Sequence, residues 1–209
     1  MTQEKESLLN RFYRKGAKVV VYVIYRCRFS GFKENIPKEG AAVIIANHIS
    51  YMDGMVLHAA SPRPVRFVID AAIYNVPSVK YWMERAGAIP IRPNRKAVKQ
   101  ALEQVSEALK QGDIVCIFPE GSLTYTGKMA RFRMGIELII KNDPVPVIPV
   151  AIKGLWGSIF SRKYRKAKVK WMPRKLRMKV SAICGKPIPP DRVKVGYLQR
   201  EIMRLWNDA

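Results

Sequence analysis

The sequence predicts an α/β fold, a sandwich with a mostly parallel central sheet covered by helices, preceded by an N-terminal interfacial helical segment. Three observations predict it. Short apolar runs alternate with stretches of helical periodicity. Those runs are near-continuous in their apolar character, as in strands buried on both faces. Polar residues directly follow several of them, where active residues gather in such a sheet. With 209 residues, one domain with a real core is expected. No repeat, low-complexity tract or linker divides it.

Residues 8–32 come first. Basic residues bracket an apolar, aromatic centre, Val19 to Tyr25. This suits a helix or helical pair lying in a bilayer interface. The alternative is a strand or helix packed on the core, which the β-branched run Val19-Val20-Val21 permits. The segment is assigned to residues 1–34 and the main domain to residues 35–209. The apolar run is far shorter than the roughly 20 residues of a membrane span, so no transmembrane helix is expected. Acidic Glu4 and Glu6, with no small-residue cleavage pattern, argue against a signal peptide.

Ala41 to Ala46 reads as a buried strand, followed by a helix over about 51–60 with Ser50 as its N-cap. Val65 to Asp70 is a strand, Ser78 to Arg85 a helix ended by Gly87, and Ala88 to Ile91 a short strand before Arg92. Asn94 to Gln111 is the clearest helix, with an apolar stripe of Ala97, Val98, Ala101, Leu102, Val105, Ala108 and Leu109 closed by Gly112. Ile114 to Phe118 is a buried strand running into Pro119-Glu120-Gly121. A helix over about 134–141, strands at Val145 to Ile152 and Leu176 to Cys184, and a helix over about 191–207 complete the chain.

The charge balance narrows the partners. Lys plus Arg number 38 against 16 acidic residues, a net +22. Such a field attracts nucleic acid, an anionic membrane surface or phosphorylated substrates. The densest tract runs from Arg162 to Lys179, with ten basic residues, no acid, and Trp171 and Met172 interleaved. It reads as a solvated face, a nucleic-acid patch or a lipid-headgroup patch. The three cysteines, Cys27, Cys116 and Cys184, have no metal-ligand spacing and read as reduced thiols in a cytoplasm-facing protein. With only His48 and His58, a His-rich metal site is excluded.

His48 stands where the first buried strand ends. Asp53, five residues on, can fold back to accept a hydrogen bond from its ring. That fixes the tautomer, leaves the other nitrogen as a base and favours the imidazolium once it forms. A satisfied polar residue and a favourable charge at a helix start are the plainer alternative.

The pattern then meets a family. Asn47-His48-Ile49-Ser50-Tyr51-Met52-Asp53 resembles the His-four-residues-Asp motif of the glycerophospholipid acyltransferases, and Phe118-Pro119-Glu120-Gly121-Ser122 resembles their Phe-Pro-Glu-Gly-Thr/Ser motif. Gly87 to Arg92 looks like the second motif and Val147 to Val150 like the fourth, in the expected order. The nearest subfamily by resemblance is 1-acylglycerol-3-phosphate acyltransferase. Two departures concern the acceptor: Ser122 to Gly127 replaces a basic continuation, and Gly154 to Phe160 is similar to 2-acylglycerophosphoethanolamine acyltransferases.

The resemblance implies acyl transfer from acyl-coenzyme A or acyl carrier protein to a lysophospholipid hydroxyl, with no metal, no cofactor and no acyl-enzyme. His48 and Asp53 are the catalytic candidates. Arg92 is the candidate phosphate clamp. Glu120, Gly121 and Ser122 are substrate-binding candidates, with Glu120 orienting Arg92 or bonding a glycerol hydroxyl. Cys116 and His58 read as structural, while Trp156 reads as tunnel lining or packing. The expected acceptor is 1-acylglycerol-3-phosphate, the product phosphatidic acid, and the rival acceptor lysophosphatidylethanolamine. The expected location is the cytoplasmic face of a bacterial inner membrane, peripheral or monotopic, against anionic lipid. The rival of another class is a non-enzymatic basic nucleic-acid-binding protein. It leaves four ordered motifs unexplained, and no nucleic acid is expected as partner.

Overall fold

The computed structural model describes residues 8–158, 160–163 and 177–208, with side chains from residue 15 onward. In chain order the elements are α1 (Leu8–Ile24), β1 (Arg26–Ser30), α2 (Phe32–Asn35), β2 (Ala42–Ala46), α3 (Asp53–Ala60), β3 (Val65–Asp70), α4 (Ala71–Tyr74), α5 (Pro77–Arg85), β4 (Ile89–Ile91), α6 (Arg95–Lys110), β5 (Ile114–Ile117), α7 (Gly135–Asn142), β6 (Val147–Lys153), β7 (Lys179–Cys184) and α8 (Val195–Asn207). The seven strands form one sheet in the order β1-β7-β6-β2-β5-β3-β4. Every neighbouring pair is parallel except β6 and β7. The predicted α/β fold with a mostly parallel sheet is the fold observed.

β2 lies at the centre because every one of its residues is buried and hydrophobic side chains cover both its faces. Ala42, Ile44 and Ala46 point into one core, shared with Ile114 and Cys116 of β5 and with Val21, Val56 and Leu57 of α1 and α3. Val43 and Ile45 point into the other, shared with Val115 and Ile117 and with α6, α7 and α8. Pairing of Ile44 with Cys116 on one side and Ile148 on the other fixes the register. The chain leaving β2 at Asn47 therefore emerges between the carboxyl ends of β5 and β6.

Several sequence expectations shift in detail. The 8–32 segment holds one long helix and an edge strand. α1 buries Ala17 and Val21, and Tyr25 just after it is buried too, whereas Val19, Val20, Tyr22 and Val23 are 61, 45, 50 and 65% exposed. β1 pairs with β7. Among the described residues no helix is long and apolar enough to cross a membrane. The predicted stripe of α6 is rotated: Ala101, Val105, Ala108 and Leu109 are buried, but Val98 is exposed. α3 starts at Asp53 rather than after Ser50; Ser50 to Asp53 instead form a turn, in which the Asp53 N–H donates to the Ser50 carbonyl at 3.1 Å and Ser50 Oγ accepts from the Met52 N–H at 3.2 Å. Much of the basic tract, including Arg165, Lys166, Lys168, Lys170, Arg174 and Lys175, lies outside the described residues, as does Ile159.

Arg63 ties the opposite end of the sheet together. Its guanidinium donates to the carbonyls of Pro37 and Gly40 before β2 (3.0 and 2.8 Å) and of Gly112 before β5 (2.8 Å). Three carbonyls in two directions fit a planar fork, whereas an ammonium is a point charge. Arg63→Ala is expected to lower unfolding free energy by about 1–3 kcal/mol in a denaturant titration. Arg63→Lys should recover little of it. Full recovery by lysine would show that only charge matters there.

Candidate active site

The site is assembled where β2 ends. Asn47, buried, behaves as an extra strand residue. Its Nδ2 donates to the Ile152 carbonyl at 2.9 Å, and its Oδ1 accepts from the Ile152 N–H at 2.7 Å. The side-chain amide thus reproduces a backbone pairing and pins the end of β2 to β6. His48 follows, with its side chain 20% exposed, against 0% for Asp53.

Asp53 Oδ2 lies 2.8 Å from His48 Nδ1 and also accepts from the N–H groups of Ile49 (2.6 Å) and Ser50 (2.9 Å). The carboxylate at the first residue of α3 folds back over the turn that carries the histidine. An acceptor-only carboxylate oxygen facing Nδ1 selects the tautomer with the proton on Nδ1. Nε2 is then the basic nitrogen, and among the described residues it makes no hydrogen bond. Burial pushes the Asp53 carboxyl above the usual carboxylate range. The His48 ring, and then the N–H groups of Ser50 and Ile49, pull it back. Phe118 stacks on the His48 ring with centroids 4.0 Å apart and planes 14° apart, which limits its rotation.

The loop after β5 holds the histidine peptide from both sides. Glu120 Oε1 accepts from the His48 N–H at 2.7 Å, and the Thr124 N–H donates to the His48 carbonyl at 3.0 Å. Glu120 Oε2 accepts from the Ala130 N–H at 2.6 Å. Glu120 is 4% exposed. Burial raises its pKa, opposed by the Ala130 and His48 N–H groups and by the His48 charge. Both oxygens are thus engaged by main-chain donors, and the contacts of Glu120 are to the backbone rather than to Arg92. Thr124 Oγ1 accepts from the N–H groups of Thr126 and Gly127 and donates to the Lys128 carbonyl, closing the loop on itself.

Gly121 has φ +71°, and a Cβ there would stand 2.7 Å from Nε of Arg133, whose guanidinium lies over it. Ser122 is exposed and, among the described residues, makes no side-chain hydrogen bond. Arg92 is exposed just past β4, in a cleft with Tyr74, Asn75, Asn94, Lys96 and Gln100. β4 is the third strand from β2, about 14 Å away at ordinary strand spacing. His48, Asp53, Glu120 and Gly121 are therefore brought together, and Arg92 stands apart. Trp156 packs against Gly127, and His58 is buried on α3. Asn47, Thr124 and Arg133 are contributors that sequence reasoning did not single out. For Asn47 the available signal was a polar residue closing an apolar strand.

Among the described residues no cluster of three His, Cys, Asp or Glu could hold a metal ion. The thiols are poor nucleophiles. Burial pushes Cys27 up to about 11 and Cys184 up to about 12, the latter aided by Glu34. Fully buried Cys116 is pushed higher still by burial and by the Asp53 charge. Since the thiolate is the reactive form, iodoacetamide at pH 7.5 should leave Cys116 unmodified by mass spectrometry and activity unchanged. Rapid modification of Cys116 with loss of activity would overturn its place in the core.

Comparison with known proteins puts this arrangement in context. Residues 28–153 match the profile of the family described as Acyltransferase. A probable 1-acyl-sn-glycerol-3-phosphate acyltransferase of Mycoplasma pneumoniae is 30% identical over 94% of this chain and 71% of its own length. A chloroplastic 1-acyl-sn-glycerol-3-phosphate acyltransferase of Arabidopsis thaliana is 27% identical over 66% of this chain, which spans only 39% of that protein. The crystal structure of the 1-acyl-sn-glycerophosphate acyltransferase PlsC from Thermotoga maritima superposes with a TM-score of 0.77 at 21% identity, covering 99% of this chain and 83% of that one. At that identity the likeness speaks for the fold.

Proposed function

The chain belongs to the acyltransferase family, and on that premise we propose that it transfers a fatty acyl chain from a thioester donor to the free hydroxyl of 1-acylglycerol-3-phosphate, giving phosphatidic acid. The observation that carries the proposal is the His48–Asp53 pair. Nδ1 is held by a buried carboxylate at 2.8 Å, while Nε2 is open at the carboxyl end of the sheet. The names of the M. pneumoniae and A. thaliana relatives supply the acceptor.

The chemistry follows from these atoms. Nε2 takes the hydroxyl proton as the oxygen attacks the thioester carbonyl. Asp53, with its proton-free oxygen on Nδ1–H, stabilises the imidazolium that forms. The tetrahedral intermediate collapses by breaking the carbon–sulfur bond, and the imidazolium returns the proton to the departing thiolate. Transfer is direct, in one ternary complex, and needs no cofactor. Glu120 is a positioning residue in this scheme, since it touches the His48 peptide and not the reacting atoms. The donor is acyl-coenzyme A or acyl carrier protein.

The enzyme works at an anionic membrane surface on the cytoplasmic side. The exposed apolar face of α1 supports this placement, because α1 packs directly on α3, the helix that supplies Asp53. Purified protein in detergent micelles tests the proposal, with both donors offered against 1-acylglycerol-3-phosphate and lysophosphatidylethanolamine and with His48→Ala as control. Phosphatidic acid formed by the wild type and lost in the variant is expected. Product from the ethanolamine lipid alone would overturn the acceptor. No product from any pair would overturn the reaction.

A further inference from the structure

Strand β3 ends at Asp70, at the same end of the parallel sheet as His48 after β2 and Glu120 after β5. There the chain turns into α4 and α5. α5 is nine residues long, and none of them is buried. A short helix in a globular protein is ordinarily held by burying one apolar face, and α5 leaves Val79 and Met83 only half-buried. Its aromatic side chains point outward instead: Tyr81 is 53% and Trp82 44% exposed, and Val76, just before the helix, is 41% exposed. The Tyr81 and Trp82 rings meet edge to face with centroids 5.2 Å apart. The Arg85 guanidinium sits 5.6 Å over the Tyr81 ring, and Lys80 is 52% exposed.

Tyrosine and tryptophan beside lysine and arginine is the composition of a surface set at the boundary between acyl chains and headgroups, where each ring has an apolar body and a polar tip. We propose that α5 is a lipid-facing element that sets Tyr81 and Trp82 into the headgroup layer of an anionic bilayer. The net charge of +22 makes the protein complementary to such a surface. α1 presents a separate exposed apolar face, so the fold carries two elements that favour lipid. The choice of a bilayer as occupant rests on the acyl-transfer reading, whose acceptor is a lipid.

The test uses the full chain and vesicles of phosphatidylcholine with phosphatidylglycerol. Tyr81→Glu/Trp82→Glu should lower the partition coefficient in co-sedimentation at least roughly tenfold, while turnover of a short-chain 1-acylglycerol-3-phosphate dissolved as monomer stays within about twofold. Because neither ring is buried, the double variant should still fold and lower the thermal midpoint only slightly. Brominated lipid provides a readout without added charge, since it should quench wild-type fluorescence more than that of Trp82→Phe. Unchanged partitioning with equal quenching would overturn the proposal. So would a wild-type dimer that the double variant dissociates without loss of vesicle binding, because a second copy would then cover α5. Partitioning is read without turnover. Vesicle binding that depends on Tyr81 and Trp82, in a protein that makes no phosphatidic acid, would therefore sink the acyl-transfer reading alone.

Discussion

His48→Ala is expected to lower kcat for acyl transfer by roughly 10²- to 10⁴-fold, the usual contribution of a positioned general base. KM should change little, because the ring touches the reacting hydroxyl and not the rest of the acceptor. Asp53→Asn should cost less, about 10²-fold, for a structural reason. Two backbone N–H groups, of Ile49 and Ser50, converge with the His48 ring on a single carboxylate oxygen. An asparagine must keep its carbonyl oxygen at that position, since its NH₂ would face two donors. The tautomer of His48 is then preserved, and only the negative charge opposite the imidazolium is lost. Asp53→Ala is a different experiment. It leaves two buried N–H groups without an acceptor, each at about 1–3 kcal/mol, and should loosen the turn itself. Adding Asp53→Asn to His48→Ala should cost almost nothing more, because the carboxylate acts through the ring. A fully additive double variant would mean that Asp53 has a catalytic role of its own.

The ease of reading this site from sequence depended on how far apart its partners lie in the chain. His48 and Asp53 are five residues apart, and their approach could be argued from a strand end and a helix start. The strands themselves were legible because β2 and β5 are apolar at every position, a pattern that only a sheet covered on both faces requires. The link from Glu120 to the His48 N–H spans 72 residues, and that from Asn47 to Ile152 spans 105. Both depend on β2 lying between β5 and β6, an order that local periodicity does not encode. The misplaced start of α3 has a related cause. Serine at a strand–helix junction suits an N-cap, but its oxygens close a tight turn first: Oγ accepts from the Met52 N–H and the carbonyl from the Asp53 N–H, so the helix begins only at Asp53. The sequence identifies α5 only as a helix, because its pattern is the same whether the apolar side meets a core or a bilayer.

Glu120→Gln is expected to reduce kcat/KM by about 10²-fold without removing any group that touches substrate, the scale associated with a misplacement near 1 Å at a catalytic group. Each Glu120 oxygen accepts from a different backbone N–H, one from His48 and one from Ala130. Glutamine can offer an oxygen to only one of them and must turn an NH₂ toward the other. One hydrogen bond becomes a donor–donor contact, costing about 1–3 kcal/mol. If the amide faces His48, that peptide is left with only its carbonyl bond from Thr124, and the imidazole shifts. The amide proton of His48 in NMR should then move markedly in Glu120→Gln, whereas a role for Glu120 in binding acceptor would leave it in place and change KM alone. The pH dependence of stability provides an independent check. Burial raises the Glu120 carboxyl in the fold, so the folded protein keeps this proton at pH values where the unfolded chain has released it. The stabilisation by that proton is fully present below the unfolded value of about 4.3 and is lost as pH rises through the folded value. Wild-type stability should therefore fall across that window relative to Glu120→Gln, and parallel curves would mean that Glu120 titrates as a solvent-exposed carboxylate.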